Sequence, residues 1–283
     1  MIESTFQHIP NILRKGEIRL WNSGITTWQK LINTSEKHPH FTRKMWQALK
    51  KECIECQQAW DQGNINYFLQ HFPEEIHWRF FPNFVDQILY FDVEMTGLDI
   101  QKDKITTIVA FDGIKLHYFV RNKNLEEFPR LMEKFTAIAT FDGIRTDIPF
   151  LEKEFKIHFD KIHFDLFSLS RLVRLSGGLK QIERILGIQR NLPEKMNGLM
   201  AIFLWNEYQA TQDPQFLSTL LAYNAEDALH LQEILFLFYE KLRKFERIPE
   251  KKLEYSPKSI QLDNIASKDV LQIINLKYGS EFL

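Results

Sequence analysis

Disulfides, a strong net charge and long apolar runs are all missing from this chain, and each absence excludes a class of protein. Only two cysteines occur in 283 residues, so no disulfide framework stabilises the fold, which fits a reducing compartment. The formal net charge of -1 gives no global attraction to nucleic acid. No apolar run approaches the roughly 18 residues that a membrane span needs, and no signal peptide opens the chain. We therefore expect a cytoplasmic protein without a membrane partner.

Length and composition are those of an ordinary globular chain. It has room for one large domain, or for a domain with a smaller companion. The 24 phenylalanines predict an aromatic-rich core. The pattern changes twice along the sequence, so we expect three parts. These are a mostly helical region over 1–87, an α/β domain over 88–245, and a linker with a short helix over 246–283.

A pair of short helices is expected near the start of the chain. His8-Ile9-Pro10-Asn11-Ile12 leads to a segment from Arg19 to Trp28 that contains Gly24. This arrangement resembles a degenerate helix-hairpin-helix element, in which a glycine-containing hairpin joins two helices and its backbone amides meet phosphate. Asn11-Ile12-Leu13 stands where Gly-Ile-Gly is usual, which puts the close backbone approach of glycine in question. Packing of the two helices is the alternative interpretation.

Lysines on the next predicted helix also have two interpretations. Lys44, Lys50 and Lys51 lie within the helical spacing of Phe41 to Trp60. They form either a solvated helix face, which we favour, or a patch that contacts phosphate.

The two cysteines fall on the same predicted helix. Cys53 and Cys56 have Cys-x-x-Cys spacing, and His38 and His40 lie upstream, so four zinc ligands exist in principle. However, the pair sits in a helical pattern without a second cysteine pair or the usual finger spacing. We therefore favour core or surface thiols over a metal site.

From Ile88 the pattern changes to strands and then alternates with helices. The predicted strands are Ile88–Met95, Ile105–Phe111, Lys115–Val120, Ala137–Phe141 and Ile162–Phe164. The predicted helices are Leu125–Phe135, one opening at Asp147, Leu179–Leu186, Lys195–Thr211 and Pro214–Arg243. The turn pair Asp112-Gly113 favours a hairpin between the second and third strands. This order predicts an α/β fold with a mixed sheet covered by helices.

The first strand carries two acids into the expected sheet. Asp92 and Glu94 are two residues apart, so their side chains share one face while Phe91 and Val93 point to the other. Neighbouring carboxylates repel, and burial raises the cost of ionising either one. A divalent cation removes that penalty, so the pair predicts half of a metal site. The alternative is that both acids are solvated on an edge strand.

Two later segments supply candidate partners. Asp147 follows a strand and a glycine turn at the start of a helix, where a helix cap is the simpler explanation. Tyr223 and Asp227 are four residues apart on a long predicted helix, so they project from the same face. Taken alone, Tyr223 fits the core and Asp227 fits the surface.

Taken together and in this order, the three segments resemble the DEDD family of RNase H-like 3′-to-5′ exonucleases. The first family motif, Asp-x-Glu on the first strand, is matched by Asp92 and Glu94. The second is an aspartate after a strand and turn, matched by Asp147. The third, in the tyrosine subtype, is Tyr-x-x-x-Asp on a late helix, matched by Tyr223 and Asp227.

The resemblance covers more than half of the chain, from about Ile88 to Leu242. It looks closest to bacterial exonuclease-domain proteins, some of which carry a helical N-terminal extension. Asp165-Leu166 before one helix and Gly178-Leu179-Lys180 before the next are further echoes. The histidine subtype would need a histidine where Ala222 stands, so the tyrosine subtype is indicated.

Three positions depart from the family pattern. The second motif commonly reads Asn-Gly-x-x-Phe/Tyr-Asp, whereas this chain has Asp142 and Thr146 at its first and fifth places. Asp142 would add negative charge close to substrate phosphates. Met95 stands where threonine is frequent. These departures bear on affinity or substrate choice more than on the four acids. By the same resemblance, Thr96, Gly97 and Leu98 would lie against the terminal nucleotide, with Gly97 allowing close approach and Leu98 wedging a base.

The resemblance implies two-metal hydrolysis of phosphodiester bonds. Two Mg²⁺ or Mn²⁺ ions roughly 3.5–4 Å apart would activate a water and stabilise the leaving oxygen. Asp92 would bridge the ions, Glu94 and Asp227 would complete one site, and Asp147 would act in the outer shell or on the second ion. Tyr223 would orient the water, since a free phenol with a pKa near 10 is a poor base at neutral pH.

We therefore expect a metal-dependent enzyme that removes nucleotides from the 3′ end of DNA or RNA. Two alternatives stay open at this point. One is a non-catalytic nucleic-acid-binding or scaffold protein on the same fold, and the other is an endonuclease of the wider RNase H-like group. Absence of nucleotide release from end-labelled single strands in Mn²⁺ would favour the first alternative. Internal cuts in a circular substrate would favour the second, because an exonuclease cannot make them.

Overall fold

The computed structural model describes residues 1–192, 196–249, 252–254, 260 and 262–278. Within it the chain forms two compact units. The first unit contains Met1–Val85 and Tyr239–Glu254, and the second contains Asp86–Phe238 and Tyr255–Leu283. This division differs from a split at residue 245, because the end of the last long helix belongs to the first unit. Lys195, at the start of one predicted helix, lies outside the described residues.

The first unit is helical. Its α-helices are α1 (Arg14–Asn22), α2 (Trp28–Asn33), α3 (Arg43–Asp61), α4 (Ile65–His71) and α5 (Phe81–Phe84). Short 3-10 helices cover Ile2–Ser4 and Glu74–Phe80, and a third one, Val85–Gln87, leads into the second unit. Helix α3 begins after Thr42, whose side chain accepts a hydrogen bond from the Met45 amide.

A buried ion-pair cluster lies inside the first unit. The Arg79 guanidinium donates to both oxygens of Glu17, at 2.8 and 2.9 Å, and also to Glu246. The side chains of Arg79 and Glu17 are fully buried. Each charge is therefore compensated by its partner, and loss of either would leave the other uncompensated in the core. Because Glu246 belongs to this cluster, the end of the long helix is part of the first unit.

The helical pair near the start of the chain has left-handed backbone at two positions. Asn11 has φ of 66° and Gly24 has φ of 87°. Asparagine is among the few non-glycine residues that adopt this region readily, so Asn11 supplies backbone geometry that a glycine would supply. Helix α1 follows Asn11, and the Gly24 hairpin joins α1 to α2. Phosphate binding by this element stays a prediction.

The cysteines are buried in the first unit. Cys53 and Cys56 are free thiols with no exposed surface. The Cys56 sulfur lies 3.2 Å from His8 Nε2, and neither His38 nor His40 contacts it. Among the described residues no cluster of three or more His, Cys, Asp or Glu side chains stands ready to hold a metal ion. The burial of both thiols therefore agrees with their interpretation as core residues.

The predicted lysine face is solvated in part. Lys44 and Lys51 are exposed, and Lys51 forms an i,i+4 ion pair with Glu55 at 3.6 Å. Lys50 is half-buried and donates to the Ile32 carbonyl at 3.2 Å. Lys50 is therefore engaged within the protein, and phosphate contact by these lysines stays a prediction.

The second unit is built on a five-stranded mixed sheet. Its strands are β1 (Ile88–Met95), β2 (Ile105–Phe111), β3 (Leu116–Val120), β4 (Ala137–Thr140) and β5 (Ile162–Asp165), in the order β3-β2-β1-β4-β5. Strand β1 pairs antiparallel with β2 and parallel with β4, and β4 pairs parallel with β5. The predicted α/β class, with a mixed sheet and a helical N-terminal region, is confirmed. Strand β1 is central, so the alternative of an edge strand is wrong.

Helices cover the sheet. They are α6 (Phe128–Met132), α7 (Asp147–Phe155), α8 (Leu166–Leu172), α9 (Leu179–Leu186), α10 (Gly198–Thr211), α11 (Pro214–Glu246) and α12 (Lys268–Tyr278). Helix α6 is shorter than the predicted Leu125–Phe135. Leu125–Glu127 forms a 3-10 turn, and the α-helix begins at Phe128, with Pro129 in its first turn, and ends at Met132. None of the helices in the described ranges combines a membrane-spanning length with an apolar sequence.

One face of β1 packs into the apolar core. Phe91 and Val93 belong to a cluster with Phe128 of α6 and Leu151 of α7. The Phe91 and Phe128 rings meet edge to face, with centroids 5.3 Å apart. Because strand side chains alternate, Asp92 and Glu94 project from the opposite face. The sheet therefore delivers the two acids to the side covered by α11.

Candidate active site

The first pair of acids faces the long helix α11. The Asn224 amide of α11 donates to Asp92 Oδ2 at 2.6 Å. Thr107 of the neighbouring strand β2 contacts Asn224 Oδ1 at 3.3 Å, and Thr107 is paired with Glu94 in the sheet register. Asn224 is fully buried and Glu94 is 9% exposed. The side-chain amide thus links α11 to the strand that carries both carboxylates.

Asp147 reaches the same region from the end of β4. A tight turn over residues 141–146 follows the strand, and Asp142 within it has a left-handed φ of 63°. Gly143 is required there, because a Cβ atom would lie 2.1 Å from Thr140 Oγ1. Asp147 is then the first residue of α7, with Thr146 at the cap position. The prediction that Asp147 sits at or near a helix cap is confirmed.

The side chain of Asp147 is buried and only partly satisfied. The Thr146 hydroxyl lies 3.0 Å from Asp147 Oδ1 and 2.9 Å from the Asp142 carbonyl, so it can donate to one of them at a time. Among the described residues, Asp147 Oδ2 has no hydrogen-bond partner, although the residue is only 4% exposed. A buried oxygen without a donor is costly, and such an atom at a polar site indicates an absent ligand or ion.

Helix α11 contributes Tyr223 and Asp227. Both side chains are buried, with about one-twentieth of their surface exposed. They are four residues apart in one continuous helix and therefore share a helix face. The charges of Asp227, Glu94 and Asp92 all act on the Tyr223 phenol. Burial is the largest cause, and these three charges add to it, so the pKa of Tyr223 is raised well above its usual value.

The acids influence one another electrostatically. Burial raises the pKa of Asp92 well above its ordinary value, and the charges of Asp227, Glu94 and Asp147 raise it further. Burial likewise raises the pKa of Glu94, with Asp227 and Asp147 adding to the effect. The pKa of Asp147 is raised to about 7, chiefly by burial. The charges of Asp227 and Asp147 therefore act on both Asp92 and Glu94, and we call these four acids the acid cluster.

Two cations also reach this cluster. Arg190 donates to Asp227 Oδ1 at 2.5 Å and to both oxygens of Glu183 at 2.7 and 2.8 Å. It also lies 3.2 Å from Glu226. Burial disfavours the charged guanidinium, but Asp227 and Glu183 outweigh this effect and raise the pKa of Arg190. Asp227 is therefore paired with a protein cation in this structure.

Lys180 is the second cation, and it contacts the tyrosine. Its Nζ donates to Tyr223 Oη at 3.0 Å and lies 4.4 Å from the centre of the tyrosine ring. Burial lowers the pKa of Lys180, whereas the charges of Asp227 and Glu94 act in the opposite direction. Lys180 is the last residue of the Gly178-Leu179-Lys180 segment and lies in the first turn of α9.

The chemistry of the four acids fits hard divalent cations. Carboxylate oxygens are the ligands that Mg²⁺ and Mn²⁺ prefer, and the orphaned Asp147 Oδ2 is such an oxygen. As the described side chains now stand, however, no three of them form a ready ligand set. Arg190 on Asp227 and Asn224 on Asp92 take up carboxylate oxygens that an ion would otherwise use.

The loop after β1 is shaped by Asp103. Thr96 Oγ1 donates to Asp103 Oδ1 at 2.8 Å, and the Asp99 amide donates to Oδ2 at the same distance. A Cβ atom at Gly97 would lie 2.5 Å from Asp103 Oδ2, so glycine is needed here to admit this carboxylate. Leu98 is 80% exposed. Contacts of Thr96, Gly97 and Leu98 with a terminal nucleotide stay predictions.

Asp142 is neutralised by its neighbour. Arg145 Nε and Nη2 donate to the two Asp142 oxygens at 2.6 and 2.8 Å. The negative charge that the sequence places close to substrate is therefore paired within the same turn. Contact of Asp142 with substrate stays a prediction.

Sequence reasoning missed Asn224, Lys180 and Arg190 as parts of this site. Asn224 had a signal, because it lies three residues before Asp227 and so on the same side of α11. The only signal for Lys180 was that the segment Gly178-Leu179-Lys180 resembles the exonuclease family. Arg190 had no local signal, since its three carboxylate partners come from two different helices.

Comparison with known protein families gives one match. A family model described as the RNase H superfamily matches residues 89–239, which is more than half of the chain. A comparison with curated proteins finds no match. The matched range begins in β1 and ends in α11, so it includes every acid of the cluster. The chain therefore belongs to the RNase H superfamily.

Proposed function

We propose that this protein is a metal-dependent 3′-to-5′ exonuclease of the tyrosine DEDD type, acting on DNA or RNA. Superfamily membership indicates nuclease-type activity on nucleic acid. The observation that carries the finer proposal is the hydrogen bond from Asn224 of α11 to Asp92 of β1, which brings the helix of Asp227 onto the strand that holds Asp92 and Glu94. The charges of Asp227 and Asp147 act on both of these buried acids. A protein tolerates such a cluster at a cost in stability, which is typical of sites that bind cations.

Asp92, Glu94, Asp147 and Asp227 would hold two Mg²⁺ or Mn²⁺ ions. When bound, the ions lower the pKa of an attacking water and neutralise charge on the leaving oxygen. Asn224 keeps the Asp92 carboxylate fixed on its strand by donating to Oδ2. Asp147 Oδ2 offers an oxygen that no protein group satisfies.

Tyr223 acts as a hydrogen-bond donor in this proposal. Its raised pKa keeps the phenol protonated at neutral pH, so it orients a water or a phosphate oxygen and does not act as a base. Lys180 donates to Oη and occupies one lone pair, which leaves the phenol hydrogen free to point elsewhere. Lys180 is thus a positioning residue for Tyr223.

The test uses single-stranded oligonucleotides in Mn²⁺ or Mg²⁺. A strand labelled at its 3′ end should release labelled mononucleotide at once, whereas a strand labelled at its 5′ end should shorten stepwise. Asp92→Asn and Asp227→Asn should each lower the rate by a factor on the order of 100 or more, since metal catalysis contributes several kcal/mol. Glu133→Gln removes an exposed acid of the same unit and serves as the matched control.

Other outcomes would contradict the proposal. Cuts in a closed circular strand would indicate an endonuclease, because an exonuclease needs an end. Release of nucleotide that persists in Asp92→Asn would show that the cluster is not the catalytic centre.

A non-catalytic nucleic-acid-binding protein is the second candidate, and one contact favours it. Arg190 is bound to Asp227 with a buried, multiply hydrogen-bonded guanidinium, which substitutes for a metal charge at that carboxylate. This candidate predicts strand binding without nucleotide release in any divalent ion. It also predicts that added Mn²⁺ leaves the melting temperature unchanged, whereas the exonuclease should be stabilised by ion binding.

A further inference from the structure

A patch of aromatic and arginine side chains lies beside the acid cluster and has no part in the proposed reaction. We name it the Phe167 patch, and it consists of Phe141, Arg145, Phe167 and Arg171. Phe141 directly follows β4, and Phe167 is the second residue of α8, which directly follows β5. Strands β4 and β5 are parallel neighbours, so both rings lie at the carboxyl end of the sheet, where ligands of α/β proteins commonly bind.

The Phe167 ring is the centre of the patch. The Phe141 and Phe167 rings meet edge to face, with centroids 5.9 Å apart. The guanidinium carbons of Arg145 and Arg171 lie 4.6 and 5.6 Å from the Phe167 ring centre. Both rings are half-buried, and both arginines are exposed. Two guanidinium groups are therefore held on one ring at the surface.

The positive charge of the patch is only partly compensated. Arg145 is paired with Asp142, whose carboxylate accepts two hydrogen bonds from it. In the part of the chain that the structure describes, no acid lies within ion-pair distance of Arg171. Its guanidinium lies over the Phe167 ring. Two like charges on one ring repel each other, and an anion that binds there relieves the repulsion. The patch therefore fits a ligand with negative charge and flat rings.

The patch is continuous with the acid cluster. Arg145 lies two residues before Asp147, in the turn that leads from β4 into α7. Asp165 links the two parts, because it accepts hydrogen bonds from the Ile144 amide at 3.2 Å and from the Ser168 amide of α8 at 2.8 Å. The turn that holds Arg145 and the start of α8 that holds Phe167 are thus joined directly to the first residue of α7, Asp147.

We propose that the Phe167 patch binds the unpaired nucleotides next to the 3′ end of a nucleic-acid strand. Bases stack on the Arg145–Phe167 pair, and phosphates are neutralised by Arg171. Unpaired bases are required, because a base inside a duplex has no free ring face. Stacking on aromatic rings beside cations is how proteins bind single strands irrespective of sequence. The inference rests on the proposed function for the position of the 3′ end, and it adds which side chains of this protein contact the strand behind that end.

The test measures binding in EDTA, so that no cleavage contributes. A fluorescent single strand with a free 3′ end should bind to the wild type, and a blunt duplex of the same sequence should bind more weakly. Phe167→Leu preserves an apolar side chain and should weaken single-strand binding by about 5- to 150-fold, the effect of losing a stacked base. Arg171→Gln should weaken it and lower the slope of log affinity against log salt by about 0.7, the value for one phosphate of a single strand.

A second variant reports stacking directly. Phe167→Trp keeps a ring at the centre of the patch, and the fluorescence of the new tryptophan should be quenched by a bound single strand. Inorganic polyphosphate, which has charges but no bases, should not quench it. Unchanged fluorescence with a strand that binds tightly would overturn the stacking assignment.

The matched control is another pair of an exposed cation and a half-buried ring in the same unit. Lys123 Nζ lies 5.3 Å from the centre of the Tyr208 ring. Tyr208→Leu and Lys123→Gln should leave single-strand affinity unchanged. If these variants weaken binding as much as Phe167→Leu and Arg171→Gln do, the Phe167 patch is not a specific site.

Binding and cleavage together separate this inference from the proposed function. Patch-dependent strand binding without nucleotide release would uphold the patch and refute the exonuclease. Nucleotide release whose KM and kcat are unaltered by Phe167→Leu and Arg171→Gln would uphold the exonuclease and refute the patch.

Discussion

The buried carboxyl of Asp147 should make the metal-free protein less stable as the pH rises. Its pKa is raised from 3.8 to about 7 in the folded protein, chiefly because the side chain is buried, and the charges of Asp165 and Asp142 add to the effect. Between these two values the folded state keeps a proton that the unfolded state has lost. Stability therefore falls as the pH rises from about 4 to about 7, and above that the full penalty applies.

The size of this effect follows from the two pKa values. A difference of about three pH units corresponds to about 4 kcal/mol at 1.36 kcal/mol per unit. Asp147→Asn removes the ionisation, but its buried amide needs partners of its own, which costs about 1–3 kcal/mol. The free energy of unfolding of the variant should therefore exceed that of the wild type by about 1–3 kcal/mol at pH 8 and fall below it at pH 4.

Urea-induced unfolding in EDTA measures this difference. Circular dichroism gives the free energy of unfolding at pH 4 and pH 8, and hydrogen exchange of α7 peptides identifies the transition of the unit that holds the site. Glu133→Gln, an exposed acid, is the control for removing a carboxylate. The wild-type slope should also diminish in excess Mn²⁺. If wild type and Asp147→Asn show the same pH dependence, Asp147 is not a protonated buried acid and the reasoning fails.

Three further predictions test other contacts of the structure. Arg79→Met should lower the free energy of unfolding of the first unit by about 3–5 kcal/mol, because it leaves Glu17 buried and uncompensated. In urea unfolding, the double variant Arg79→Met with Glu17→Met should recover part of this loss. If stability does not recover, the two side chains are not energetically paired. Lys180→Met and Tyr223→Phe should have less than additive effects on kcat, whereas additive effects would show that the 3.0 Å contact does not couple them. The pKa of His8 is lowered to about 3 by burial, so stability should fall by about 1–2 kcal/mol from pH 6.5 to pH 5; His8→Phe should abolish this slope, and an unchanged slope would assign it to other groups.

The strands of the second unit were predictable because their residues alternate. Phe91 and Val93 had to face a core, so Asp92 and Glu94 had to face the other way, and β1 shows this arrangement. The hairpin after β2 was equally local, because Gly113 adopts the left-handed φ of 87° that the turn requires. The short helix α6 was overestimated, since Pro129 fixes where an α-helix can begin but the pattern alone does not show it.

The division of the chain was harder to anticipate. The helix α11 has one continuous helical pattern, yet its last part, from Tyr239 to Glu246, belongs to the first unit. The buried Arg79 donates a hydrogen bond to Glu246, which lies 167 residues later in the sequence. A contact between residues so far apart cannot be predicted from the spacing of residues within one segment.

Sequence alone determined the strand order along the chain, the face on which Asp92 and Glu94 lie, and the shared helix face of Tyr223 and Asp227, because these follow from the fixed periods of strands and helices. Only the tertiary structure decided which charges compensate them. Arg190 binds Asp227, Lys180 binds Tyr223, and Asp147 keeps an oxygen without a donor. Side-chain pairing between distant elements depends on how the chain packs in three dimensions. In a buried site each pairing strongly affects the free energy, and the spacing of residues along the sequence does not show which groups will pair.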